Sequence, residues 1–443
     1  MALADDGNGC LRSLQTFSQP CGPFWGILPL NPSTLSSPFE VDASSLIKKP
    51  IFLWPGTYHS PVTKALWEAR SSINPANANN APAQSELLTK TPSESRTSIV
   101  YNFSIGYILR EEYRDPWNGV RIGKLLEDLD ALAGTIAVKH CSDKCILTRP
   151  LLLVTASVDK MVLRKPLHVD VDLSMSGAVT WVGRSSIEIH LEVSQYLPES
   201  SHASDAVAFT ANFTFVARDS KTGMSAAVNR LSPESEQEKI LWEEAEARDK
   251  TRKMKRREKK RETENMESER LKALLAEGRI LCDMPALANR DTILLRDTCH
   301  EYSLICQPQQ RNTHGRIFGG FLMHKAFELA YSTAYAFAGL VPSFLEVEHV
   351  DFLRPVDVGD FLRFKSCVLY TELDNPLQPL INIEVVAHVT KPELRTSEVS
   401  NSFHFTFSVR NLHAMENDFR FRSVVPATEE EARRILKRMD ADK

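Results

Sequence analysis

Asn312-Thr-His-Gly-Arg-Ile-Phe-Gly-Gly-Phe-Leu-Met-His-Lys-Ala-Phe-Glu-Leu-Ala330 joins a polar loop, a glycine pair and the start of a long apolar helix. Glycines let backbone approach a ligand with no Cβ in the way, and a helix beginning there aims unpaired N–H groups and the positive end of its dipole at it. Leu322, Ala326, Leu329, Thr333 and Ala336 recur at helical spacing, which predicts an apolar, mostly small face able to lie close against a sheet. Gly339 is placed to end the helix in the left-handed conformation, and Pro342 blocks its continuation.

Outward from this stretch, the 443 residues exceed the size at which one core stops growing, so two domains are expected. A net charge of −4 gives no bulk attraction to nucleic acid. Eight cysteines in so long a chain are too few for a disulfide scaffold, and reduced, buried thiols are expected. His140-Cys141 with Cys145 lacks the second close pair that a tetrahedral metal site needs, so neither metal nor cofactor is expected. No apolar run approaches the roughly 20 residues needed to cross a bilayer.

Along the chain, residues 1–95 read as a flexible extension rich in Ser, Pro, Asn and Gly, with an apolar island from Pro50 to Trp67. Over residues 1–47, Arg12 stands alone against Asp5, Asp6, Glu40 and Asp42, a poor match to an Arg-rich organellar leader. Residues 96–231 form a first domain: a strand over Ile99–Ile108, a polar loop Arg110–Gly119, a helix carrying Leu125, Leu129, Leu132 and Ile136, then strand-like runs Leu151–Val162, Val169–Ser176, Ala178–Val182, Ile187–Val193 and Val207–Val216. Residues 284–410 repeat that order, with strands expected over 298–306, 345–352, 361–371, 381–390 and 399–409. A tail, 411–443, carries a short helix from Glu429 to Met439.

Between the domains, residues 232–283 read as a charged helical linker with Ser232 as its cap and Pro233 at the first position. Ten Lys or Arg lie between Arg248 and Arg261 against Asp249 and Glu258. A solvated helix explains the run; a patch for RNA or an anionic membrane is the competing reading, weakened by the lack of interleaved aromatics.

The halves also match residue by residue. Asp115-Pro-Trp-Asn-Gly-Val-Arg-Ile-Gly123 lies over Asn312-Thr-His-Gly-Arg-Ile-Phe-Gly-Gly320 without a gap, at an offset of 197 (312 − 115). Val158-Asp159 echoes Val350-Asp351, Leu163-Arg-Lys-Pro166 echoes Leu353-Arg-Pro355, and Phe213-Thr-Phe-Val-Ala-Arg218 echoes Phe405-Thr-Phe-Ser-Val-Arg410, at offsets of 189 to 192. Each half is one copy of a unit of roughly 120 residues, and the two can pair into one continuous sheet as an internal pseudo-dimer.

Gly315-Arg-Ile-Phe-Gly-Gly-Phe-Leu-Met323, Val350-Asp-Phe-Leu-Arg-Pro-Val-Asp-Val-Gly359 and Val120-Arg-Ile-Gly-Lys-Leu-Leu-Glu-Asp-Leu-Asp130 resemble the double hot-dog acyl-CoA thioesterases, most closely the acyl-coenzyme A thioesterase 9 group. The resemblance covers about residues 96–410. It implies an α+β chain of two hot-dog domains, each a long helix wrapped by antiparallel sheet, hydrolysis of fatty acyl-CoA to acid and CoA, and assembly of three pseudo-dimers into a homo-oligomer. It implies a mitochondrial location, against which the Arg-poor start of the chain keeps a cytoplasmic one open.

Relatives use one Asn and one Asp at the loop position before the glycine-led helix of each copy; here these are Asp115 and Asn312. On that resemblance the pair is assigned as catalytic, meeting in one cleft, with Asp115 as base toward water and Asn312 orienting water or substrate. Gly319 or Gly320 would stabilise the oxyanion, and Gly123, Gly315 and Arg316 join them in binding substrate, although Arg121 and the linker lysines are equal candidates for the CoA phosphates. Gly123 keeps only half of the glycine pair, since Ile122 lies opposite Gly319. His324, Glu328, Glu127, Asp128 and Asp130 read as helix-surface or interface residues, though a carboxylate on this helix is the base in some hot-dog enzymes. A hydratase, and a non-catalytic acyl-CoA sensor or RNA scaffold, are the alternative readings.

Overall fold

The computed structural model describes residues 59–73, 86–142, 151–195, 207–258, 264–312, 315–375, 377–410 and 421–441. The first half runs α1 (Pro61–Ile73), β1 (Thr89–Lys90), α2 (Pro92–Ser95), β2 (Thr97–Tyr101), α3 (Tyr107–Tyr113), α4 (Ile122–Cys141), β3 (Leu152–Val158), β4 (Met161–Leu163), β5 (Leu173–Val182), β6 (Ser186–Gln195), β7 (Val207–Arg218) and β8 (Arg230–Leu231). Two linker helices follow, α5 (Glu236–Glu258) and α6 (Glu264–Asp283). The second half contains β9 (Thr292–Leu294), β10 (His300–Ile305), α7 (Gly319–Ala338), β11 (Ser343–Val347), β12 (Val350–Asp351), β13 (Phe361–Glu372), β14 (Leu380–Lys391) and β15 (Thr396–Ser408), with β16 (Ser423–Val425) and α8 (Glu429–Ala441) after it.

Twelve strands form one sheet in which β2, β5, β6, β7 and β4 of the first copy lead directly into β11, β15, β14, β13 and β10 of the second. The join is antiparallel: Val347 pairs with Met161, and Val350 with Val158. Alternation along β14 puts Ile381, Ile383, Val385 and Ala387 into the core beneath α7, and β6 does the same beneath α4 with Ile187, Ile189, Leu191 and Val193. The duplicated α+β fold expected from the repeat is therefore a double hot-dog, with α4 and α7 packed on one another as well as on their own strands.

Leu125, Leu129, Leu132 and Ile136 are all buried, as the helical spacing predicts. On α7 the expected face is buried at Leu322, Ala326 and Thr333, half-buried at Leu329 and exposed at Ala336, and Met323, Phe327, Ala330 and Ala334 are buried beside it. Gly339 ends α7 in the left-handed conformation, φ 65°.

Three local expectations are corrected. The strand drawn to Ile108 stops at Tyr101, and the rest turns into α3, leaving Ile105 and Ile108 87% and 78% exposed. The two strands expected on either side of Gly177 are one, β5; a Cβ at Gly177 would lie 2.4 Å from the His190 carbonyl oxygen, so this glycine permits close approach and ends nothing. The linker helix starts at Glu236, because the Ser232 N–H is held by the Lys90 carbonyl. Its cap is Ser235, whose hydroxyl accepts the Glu238 N–H at 3.2 Å while the Glu238 carboxylate accepts the N–H of Ser235 in return.

Nor is α5 simply solvated. Arg248 and Arg252 reach down to the Glu188 carboxylate, fully buried on β6, at 2.6 and 2.9 Å, and Arg252 also holds Asp159 at 3.1 Å. Past residue 410, β16 pairs with β9, and Ala432, Ile435 and Leu436 of α8 are buried, the last of them against α6.

Candidate active site

The starts of α4 and α7 cross at the pseudo-two-fold axis, and glycines set how closely. A Cβ at Gly123 would lie 2.7 Å from the His324 ring, and one at Gly320 would lie 2.9 Å from the Glu127 carbonyl oxygen. Four side chains line up across the crossing. Glu127 hydrogen-bonds His59 at 2.6 Å and His324 at 2.9 Å; His324 continues to Glu328 at 2.9 Å; and Glu328 is held by Lys325 at 2.7 Å and Arg121 at 3.1 Å. Burial alone would raise the Glu127 carboxyl, but its bonds to the two imidazoles bring it below the ordinary range. His324 is correspondingly raised by Glu127 and Glu328 against the pull of burial.

The other two acids of α4 are buried, Asp128 within its own copy and Asp130 at the interface with the second copy, where the sequence reading allowed for it. Asp128 is surrounded by the hydroxyls of Ser60, Thr63, Tyr101 and Tyr113, and burial raises it to about 6. Four donors from three elements mark it as a structural anchor. Asp130 is different. Its Oδ2 accepts the Gly320 N–H at the start of α7 at 2.7 Å, and its Oδ1 accepts the Thr155 hydroxyl at 2.9 Å. Burial again raises it to about 6, moderated by these bonds and by the Arg70 guanidinium. Arg70 comes from α1 and lies over Gly134, where a Cβ would stand 3.0 Å from its Nη1.

Asp115 lines a cavity of about 900 Å³ between its own loop and α7, together with Gly123, Trp117, Phe327, Tyr331 and Tyr335. Its Oδ1 accepts the N–H groups of Trp117 and Gly119, at 2.8 and 2.6 Å. Asn312 repeats this arrangement in the second copy, its Oδ1 accepting the Arg316 N–H at 3.3 Å.

Asn312 does not line the Asp115 cavity, so the cleft expected to hold both residues is not found there. Its loop runs instead into Gly319 and Gly320, against Asp130 and Glu127 of the first copy. The physical reason is the two-fold: each loop turns toward the other copy's helix, so equivalent loops occupy two sites. Gly315, at φ 85°, and Arg316, whose guanidinium pairs with Asp357 at 3.5 Å on the surface, also lie off that cavity, as do Gly319 and Gly320. Thr313 and His314 fall outside the described residues.

The sequence reading gave Asp130 as a helix-surface or interface residue, with a carboxylate on this helix as base only by analogy to some hot-dog enzymes, and placed Arg70 in no site. Asp130 carried a signal, an acid inside the apolar run from Leu125 to Ala137; Arg70 carried none, since nothing local ties α1 to α4.

Two hot-dog copies in one chain, with a buried carboxylate of one bonded to the helix start of the other, define the class: a double hot-dog protein with an intrachain interfacial site. No protein-family model matches the chain. It is 72% identical over 422 residues to acyl-coenzyme A thioesterase 2, chloroplastic, of Humulus lupulus, covering 93% of this chain and 96% of that one. Acyl-coenzyme A thioesterase 4, mitochondrial, of the same plant is 66% identical over 418 residues, covering 93% and 79%. Acyl-coenzyme A thioesterase 9, mitochondrial, of Homo sapiens is 34% identical over 336 residues, covering 74% of each chain. The chain belongs to the acyl-CoA thioesterase family, and the protein is an acyl-CoA thioesterase.

Proposed function

We propose that the chain hydrolyses fatty acyl-CoA where α7 begins, with Asp130 as the base toward water and Asn312 orienting the substrate. The observation that carries this is the 2.7 Å bond from the Gly320 N–H to the Asp130 carboxylate, which joins a base from one copy to a helix-start donor from the other. At about 6, Asp130 is ionised at neutral pH and is a stronger proton acceptor than an ordinary carboxylate. As Asp130 turns to water, the thioester oxygen takes the N–H it leaves. Water attacks the carbonyl carbon and gives its proton to Asp130; the C–S bond then breaks, the acid departs, and the CoA sulfur receives that proton.

A second reading keeps Asp115 as the base, favoured by its place on the wall of a cavity of about 900 Å³. Thiol release from acyl-CoA separates the two. Asp130→Asn and Asn312→Ala are expected to slow turnover by orders of magnitude and Asp115→Asn by no more than several-fold; the reverse order makes Asp115 the base. The RNA reading loses support because Arg248 and Arg252 are engaged with Glu188 and Asp159. Assembly of three pseudo-dimers is tested by the mass of the complex in solution.

A further inference from the structure

We propose that the cavity between the Asp115 loop and α7 is a second acyl-CoA site, one that holds the thioester without hydrolysing it; this rests on hydrolysis taking place at Asp130. The two-fold relates the cavity to the Asp130 site, and the substitutions between them remove the chemistry. Phe327 stands where Asp130 stands in the other copy and offers no proton acceptor. Asp115 stands where Asn312 does, so the amide donor is missing, and the Oδ1 of its carboxylate is committed to the N–H groups of Trp117 and Gly119.

What remains is a container. About 900 Å³ is ample for a small molecule. Tyr331 and Tyr335 replace Gly134 and Val138 of the other copy, and Trp117 packs on both with ring centroids 5.6 Å away, giving an aromatic wall for an acyl chain or the pantetheine arm. Around the same cavity lie Arg121, Arg164, Lys165 and Arg410, against Asp115 and Glu328 as the acids. Glu328 is already matched by Arg121 and Lys325, and the exposed guanidinium groups of Arg164 and Arg410 give the lining more positive charge than Asp115 offsets. An apolar interior with guanidinium groups at its edge fits a molecule that carries a chain at one end and phosphates at the other.

The probe is the thioether S-dodecyl-CoA, which cannot be hydrolysed, titrated calorimetrically into the full chain. Two equivalents per chain are expected. Ser332→Trp, at an exposed position on the cavity wall, should reduce this to one, and reversing Arg164 and Arg410 to Glu should weaken the same equivalent several-fold. One equivalent in the wild type, or two that neither variant alters, would overturn the second site. Free CoA binding there as tightly as the thioether would overturn its acyl character. Asp130→Asn should keep both equivalents while losing thiol release; full thiol release in that variant would instead bring down the assignment of hydrolysis to Asp130, a separate result from the stoichiometry.

Discussion

Glu127 and His324 hold the same place in the two copies, 197 positions apart, and hydrogen-bond one another at 2.9 Å. A residue that meets its own counterpart lies on the two-fold axis, and in a true homodimer it would meet an identical side chain. Two glutamates there would repel. Within one chain the position is an acid in one copy and an imidazole in the other, so the axis holds a buried pair.

That pair yields the first prediction. His324→Leu leaves Glu127, 1% exposed, with His59 as its remaining imidazole partner, and breaking a buried pair by removing one member costs about 3–5 kcal/mol. The surviving His59 bond keeps the expected loss at the lower end. Adding Glu127→Leu should recover part of it, since the orphaned charge is then gone. Denaturant midpoints of the two single variants and the double variant measure the coupling; additive losses would mean that the two residues do not interact.

The second concerns the pH dependence of turnover. With Asp130 at about 6, kcat/KM should be level above that pH and fall about tenfold per unit below it, as the base is protonated. Arg70 holds the carboxyl lower than burial alone would, so Arg70→Met should move the acid limb upward. A merely structural role for Arg70 would change the height of the profile and leave the limb in place. A limb unmoved in Arg70→Met sinks the link between them.

The third concerns the linker. Arg248→Ala with Arg252→Ala strips Glu188 of both cations while it stays fully buried, an expected loss of about 3–5 kcal/mol in denaturant unfolding. Either single change should cost much less, because the other guanidinium remains. Adding Glu188→Leu to the double variant should restore most of the stability.

These residues show what the chain made legible. The duplication could be read because it is written in local features: a glycine-led helix start, a Val-Asp pair and a Phe-Thr-Phe strand, each repeated at a near-constant offset. The anchoring of Arg248 and Arg252 could not, because ten basic residues among the fourteen from 248 to 261 read as solvated until the acid beneath them, about sixty residues earlier in the chain, is known. The same holds for Asp130, whose partners come from Thr155, Gly320 and α1. Period-two apolar pattern failed at Ile105 and Ile108 because it takes an apolar side chain to be a buried one, and these are not.

The fourth prediction returns to the axis at the sheet join. His349 hydrogen-bonds Asp159 and Asp351, the equivalent aspartates of the two copies, each at 3.1 Å. Burial alone would lower its pKa, but the two carboxylates raise it to about 9. An unfolded histidine titrates near 6.5, so the folded state binds the extra proton between about 6.5 and 9. The stability this contributes is fully present below about 6.5 and is lost as pH rises through about 9. His349→Gln should therefore be less stable than the wild type at pH 6 and nearly equal to it at pH 10. The difference between the two proteins is the quantity to follow, because His190 and His324 are also raised and tilt both curves alike. A difference that stays constant from pH 6 to pH 10 would show that His349 is not held as a cation between the two copies.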